Sequence, residues 1–125
     1  MSDVPEGEGR AMSKPTPKPT PAERDAAAAE LADLRDRIDE LDRRIVELLS
    51  ERGELGRAAG RAKALAGRRA IHDPEREREV LLRVAMANRG PLSQADLLSI
   101  YRRIVATTRG LETRDRSHDG RRTGA

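Results

Sequence analysis

From Leu31 onward, apolar residues return at alternating steps of three and four: Leu31, Leu34, Ile38, Leu41, Ile45, Leu48, Leu55, Ala59 and Ala62. That period marks one face of an α-helix. No proline interrupts it, so a single long helix is predicted from about Ala26 to Ala66. The gap in the series is filled by Arg52. At 1.5 Å per residue such a helix is ~60 Å long. The stretch "AGRRAIHD" breaks the pattern and reads as a loop, and Asp73-Pro74 reads as a helix start, an acceptor at the N-cap followed by proline at the first helical position. The second helix is predicted to run to about Asn88, where "NRGPLS" ends it. Ser93 with Asp96 three residues on resembles a capping box. The third helix then carries Leu97, Tyr101, Ile104, Val105, Thr108 and Leu111 along one side. Nothing alternates as a strand would. The expected fold is all-α: one long, one short and one medium helix. The two later helices are too short to cover the long seam within one subunit, so an obligate homodimer is expected.

The ends of the chain look different. Residues 1–25 are rich in proline, glycine, threonine and lysine, with "KPTPKPTPAE" as the clearest piece, and read as a disordered leader. Residues 113–125, "TRDRSHDGRRTGA", have no apolar anchor and read as a disordered basic tail. His118 falls in that tail and is a poor base for chemistry. The helical domain expected between them covers residues 26–112.

Composition narrows the class. With 125 residues, one aromatic and neither Phe nor Trp, the chain supports a small core of Leu, Ile, Val and Ala, suited to closely packed helices. It has no cysteine, which removes disulfides, thiolate metal sites and a cysteine nucleophile, and makes a reducing cytoplasm the expected location. No apolar run nears the ~20 residues of a membrane span. Charged residues make up 38% of the chain, yet the net charge is only +3 and the signs alternate, as in "RDRIDELDRR". That is a solvated helix surface rather than the single-sign face of a nucleic-acid binder.

Two cations break the rule that charge stays outside. On a wheel of 100° per residue with Leu31 at zero, most of the apolar set lies between about 240° and 360°, with Arg52 near ~300° and Lys63 near ~320°. They point the same way about three turns apart, roughly 16 Å. Arg35 falls near ~40°, on another side of the helix, so one helix cannot aim both arginines at one ligand, whereas two helices of a dimer can. The plain reading of any one such cation is that it snorkels, pairs with a partner carboxylate or fixes register. Three at or beside one seam, with Gly53, Gly56, Ala59 and Gly60 opening space between two of them, point instead to an anionic small molecule held between helices. A buried cation needs a counter-charge, and a dianion supplies it.

The segments "LRDRIDELDRRIVELLSERGELGRAAGRAKA" and "DPEREREVLLR", with weaker support from "IYRRIVATTRGLE", resemble the small all-helical chorismate mutases, the AroQ class, across Leu34 to Glu112. The resemblance implies an intertwined homodimer with two sites, each completed by an arginine from the neighbouring subunit. By position, Arg35 resembles that crossing arginine and Arg52 the in-subunit arginine that clamps a substrate carboxylate. Lys63 resembles the lysine donating to the ether oxygen of the breaking bond. Asp73 matches a position whose backbone lines the site near the ring hydroxyl, Arg76 a further carboxylate-side arginine, and Glu77 the acceptor from the ring hydroxyl. Thr108 stands where many relatives have serine, and Glu112 where they have glutamine or glutamate.

The implied reaction, chorismate to prephenate in aromatic amino-acid or related specialised metabolism, is unimolecular and calls for no nucleophile, metal or organic cofactor. A glutamate at position 112 must be protonated to donate to the ether oxygen. Activity is therefore expected to rise toward acidic pH, and Glu112→Gln to flatten the profile. Other readings stay open at this stage: a mutase for 4-amino-4-deoxychorismate, an isochorismate-pyruvate lyase, and a non-catalytic helical dimer regulating a partner. Association with another shikimate-pathway enzyme also fits the resemblance.

Overall fold

A computed structural model describes the backbone of residues 15–123 and the side chains through residue 120. The described residues form three helices and no strand: α1 (Pro21–Leu65), α2 (Pro74–Ala87) and α3 (Gln94–Thr123). The chain divides into two compact units, Met1–Leu41 and Asp42–Ala125.

In the first unit, α1 begins at Pro21, earlier than the expected Ala26. The reason is local. Thr20 N donates to Glu23 Oε2 at 2.8 Å, and Glu23 N donates to Thr20 Oγ1 at 3.1 Å. This reciprocal capping box, with proline at the first helical position, starts the helix inside the stretch expected to be disordered. Pro15–Thr20 has no regular structure, and the remainder of the expected leader lies outside the described residues. Leu31, Leu34, Ile38 and Leu41 are all exposed in the single chain.

The second unit holds the rest of α1 with α2 and α3. Helix α1 ends in a Schellman motif around Gly67, the one residue of positive φ (81°) among those described. There Arg68 N donates to Lys63 O at 2.8 Å and Gly67 N to Ala64 O at 3.1 Å. Helix α2 starts as its sequence predicts, with Asp73 Oδ1 accepting from Arg76 N at 3.1 Å and Pro74 at the first helical position. Ser93 Oγ accepts from Asp96 N at 3.1 Å at the start of α3. Between α2 and α3, Asn88 Nδ2 donates to Leu92 O and Gln94 Oε1, while Gln94 Nε2 donates back to Ala85 O at 2.8 Å.

Helix α3 runs through Thr123, well past the expected end at Glu112, so Thr113–Thr123 is helical rather than a disordered tail. What it lacks in apolar anchors it gains in charge. Arg57 of α1 grips Asp115 with Nη2 at 2.8 Å and Nε at 3.0 Å, and Arg116 donates to the carbonyls of Arg69 and Arg68. The core is correspondingly thin: Val105, Glu112 and Gly60 are the buried residues among those described. No described helix is long and apolar enough to cross a membrane.

Candidate active site

The glycines of α1 decide how near α3 comes. A Cβ on Gly56 would lie 2.2 Å from Thr108 Cγ2, one on Gly60 3.0 Å from Glu112 Cγ, and one on Gly53 3.3 Å from Leu111 Cδ1. The small residues therefore seat α3 side chains against the α1 backbone rather than simply leaving open space. Thr108 and Glu112 share that face of α3 with Val105, at helical spacings of three, four and seven.

Above this seam lies a cavity of about 270 Å³ walled by all three helices and the loop before α2. Ligand pockets run from roughly 300 Å³ upward, so the space suits a small metabolite and little more. Leu55, Ile71, Val80 and Val105 give it an apolar wall. Of the residues singled out in the sequence, Arg52, Lys63, Asp73, Arg76, Glu77, Thr108 and Glu112 all line it. Arg35 lies in the other compact unit.

The polar wall is specifically connected. Arg52 Nη1 donates to Thr108 Oγ1 at 2.9 Å, and that hydroxyl in turn donates to Ile104 O at 3.2 Å. The Arg52 guanidinium also sits over the Tyr101 ring, 5.6 Å from its centroid, in cation–π range. These contacts hold the fork on a neutral hydroxyl and a ring face, with no carboxylate within ion-pair reach among the described residues. Lys63 Nζ is 3.7 Å from Glu112 Oε2. Glu112 is only 6% exposed, and Oε2 is buried without a hydrogen-bond partner. Buried polar atoms are normally hydrogen-bonded, so this oxygen has acceptor capacity to spare. Arg76 lines the cavity but leaves its Nη1 3.6 Å from Glu79, on an exposed side chain.

Two residues that the sequence reading passed over meet Glu77. Arg109 lines the cavity, and its Nε lies 2.6 Å from Glu77 Oε1. The N–H is not aligned with that oxygen, so this is a close ion pair with the buried Nε left without a true hydrogen bond. His72 Nε2 lies 3.3 Å from Glu77 Oε2, on the other side of the same carboxylate. The signal for Arg109 was available: a face carrying 105, 108 and 112 also carries 109. His72 sits in a loop with no periodicity to aim it.

The chorismate mutase type II family matches residues 34–113. The chain belongs to that family. It is 39% identical over 87 residues to the bifunctional chorismate mutase/prephenate dehydratase of Aquifex aeolicus, covering 66% of this chain and 24% of that protein. Its likeness to the bifunctional enzyme of the same name from Stutzerimonas stutzeri is 36% over 89 residues, covering 68% and 24% respectively. For the Pseudomonas aeruginosa enzyme of that name it is 34% over 87 residues. The chain thus spans about a quarter of the length of these relatives.

Proposed function

We propose that the chain is a chorismate mutase, converting chorismate to prephenate, and that it works as a homodimer. The observation that carries this reading is the cavity's combination of an inward Arg52, with no carboxylate partner among the described residues, and the Lys63–Glu112 pair, in a chain of the chorismate mutase type II family. The relatives' names state both chorismate mutase and prephenate dehydratase for those proteins, of which this chain spans about a quarter.

The rearrangement breaks a C–O bond and forms a C–C bond within one molecule. A catalyst has two tasks: to hold the compact conformer that brings the reacting carbons together, and to stabilise negative charge growing on the ether oxygen. Arg52 suits the first. Its planar fork binds a carboxylate through two parallel hydrogen bonds, and Thr108 and Tyr101 restrain it beforehand. Lys63 suits the second as a compact donor in a half-buried place. Glu112, once protonated, offers a second donor from Oε2 to the same oxygen. Arg76 and Asp73 border the cavity at the start of α2, and Glu77 offers acceptor lone pairs for a ring hydroxyl.

Support for the dimer is the surface of α1. Ile38, Leu41, Ile45, Leu48 and Leu55 are each half or more exposed in the single chain, a series that water would penalise unless covered. In this reading a second copy covers it and brings its own Arg35 to the site as a further carboxylate clamp.

The experiment is consumption of purified chorismate with identification of the product, beside Arg52→Ala. Prephenate formation that falls by about 10²-fold or more in the variant is expected. Absence of turnover by the intact chain sinks the reading.

A further inference from the structure

Each carboxylate that lines the cavity is already matched by a cation of the same chain. Glu112 Oε2 is 3.7 Å from Lys63 Nζ, Glu77 Oε1 is 2.6 Å from Arg109 Nε, and Asp73 Oδ2 is 3.9 Å from Arg68 Nη2. Glu77 is flanked on its second oxygen by His72, which brings no negative charge in either protonation state. Against these three carboxylates the cavity wall carries four cations: Arg52, Lys63, Arg76 and Arg109. Outside the wall, Arg68 adds a positive charge near Asp73 and Glu79 a negative one 3.6 Å from Arg76, so the two offset each other. The lining is therefore net positive, and no acidic side chain on it is left uncompensated.

We propose that this balance makes the cavity exclude ligands bearing an ammonium group, with Arg109 as the specificity-determining residue. The inference rests on the chorismate reading and refines it: the substrate carries a neutral hydroxyl where a close analogue, 4-amino-4-deoxychorismate, carries an ammonium. Glu77 is the acceptor that such a group would seek. A carboxylate has about four lone-pair sites, so Glu77 accepts a hydroxyl's hydrogen bond while staying paired with Arg109. An ammonium at the same place adds a positive charge beside a guanidinium whose Nε is buried. The Arg109 side chain is 39% exposed, so solvent screens part of that repulsion, and what remains acts at the buried Nε beside Glu77. Displacing Arg109 to admit the ammonium leaves the buried Nε without its counter-ion. Either route penalises the cation and not the neutral hydroxyl.

The test measures the wild-type chain, Arg109→Met and Arg109→Lys against chorismate and its 4-amino analogue. kcat/KM is used where a compound turns over, and Kd by calorimetry where it does not. The wild type is expected to prefer the hydroxyl compound by at least about tenfold, since like-charge juxtaposition costs several times the 1.4 kcal/mol that a factor of ten represents. Arg109→Met, similar in length and uncharged, is expected to narrow the preference by about tenfold, and Arg109→Lys to retain most of it. A purely structural role for Arg109 lowers both compounds alike and leaves the ratio where it was, which overturns the proposal. Equal preference in the wild type overturns it as well, and so does failure of the hydroxyl compound to bind. Loss of the mutase reading alone looks different: the hydroxyl compound binds better and Arg109→Met narrows the gap, yet nothing turns over.

Discussion

Arg52 reaches Thr108 because nothing stands on the Cα of Gly56. A methyl there would meet Thr108 Cγ2 at 2.2 Å, a distance at which the helices must part or the threonine must turn. Alanine in a helix gains up to about 1 kcal/mol over glycine in propensity. Forcing a methyl into a closed seam costs about 1–3 kcal/mol. The clash is with a β-branched side chain held by its own helix, so the cost wins. Gly56→Ala is expected to lower stability by about 1–2 kcal/mol and to weaken activity, since Thr108 restrains the arginine fork. Gly110→Ala is the control. It meets nothing within 4 Å, lies in α3, and is expected to raise stability by about 0.5–1 kcal/mol. Urea midpoints that move the same way for both substitutions would remove the close approach as the reason for glycine at position 56. At this scale the sequence was informative where a residue broke a period, as Arg52 and Lys63 do. The helical face of 105, 108 and 112 also points to Arg109, whereas His72, in a loop, has no periodic signal, and its place depends on what Glu77 meets.

At the scale of elements, the helix types and the starts of α2 and α3 were legible because caps are local chemistry: Asp73 with Pro74, Ser93 with Asp96. The two ends where the structure departs from the sequence pattern share a cause: local caps and distant contacts outweigh composition there. The stretch ahead of Ala26 looked like a linker, although Thr20, Pro21 and Glu23 already spell a capping box. The stretch after Glu112 lacks apolar residues, and its helix is secured by Arg57 on Asp115 and by Arg116 on the loop carbonyls. An ion pair between residues more than fifty positions apart has no signature in a one-dimensional pattern. It does have one in pH. The hydrogen bonds from Arg57, and then its charge, hold the Asp115 carboxyl below the usual carboxylate range, while partial desolvation opposes them. A group whose folded pKa is depressed stabilises the fold above its unfolded pKa, and that contribution is lost as pH falls toward the folded value. The C-terminal part of α3 is therefore expected to lose amide protection as pH drops below the ordinary carboxylate range. In Asp115→Asn that part is expected to be less protected at neutral pH and to show a smaller further loss with acid. Hydrogen exchange resolved along α3 reads this directly, and an acid response unchanged by the substitution would assign it to other carboxylates.

For the whole molecule, the decisive fact is that a chain with so thin a core leaves so much of α1 uncovered. Val105 is the buried hydrophobic residue among those described, while Ile38, Ile45, Leu48 and Leu55 remain largely exposed. In the proposed dimer a second copy covers that face and brings its own Arg35. Arg52 lines the cavity, and on the helical wheel Arg35 faces about 100° away from it, so one helix cannot turn both toward a single ligand. Subunit mixing tests this without needing a structure of the dimer. Arg35→Ala and Arg52→Ala chains are each expected to be inactive alone, because every site in either homodimer lacks one arginine. After unfolding and refolding together in equal amounts, half of the dimers are mixed. Each mixed dimer has one site with both arginines intact, if Arg35 acts across the interface, and one site with neither. Activity is then expected to return to about a quarter of the wild-type value. If Arg35 instead serves the site of its own chain, every site in the mixture still lacks one arginine and no activity returns. If the chains do not associate, mixing likewise restores nothing, and sedimentation of the wild type as a monomer separates that outcome from the first. Recovery near a quarter would tie the exposed seam, Arg35 and the catalytic cavity to a single cause.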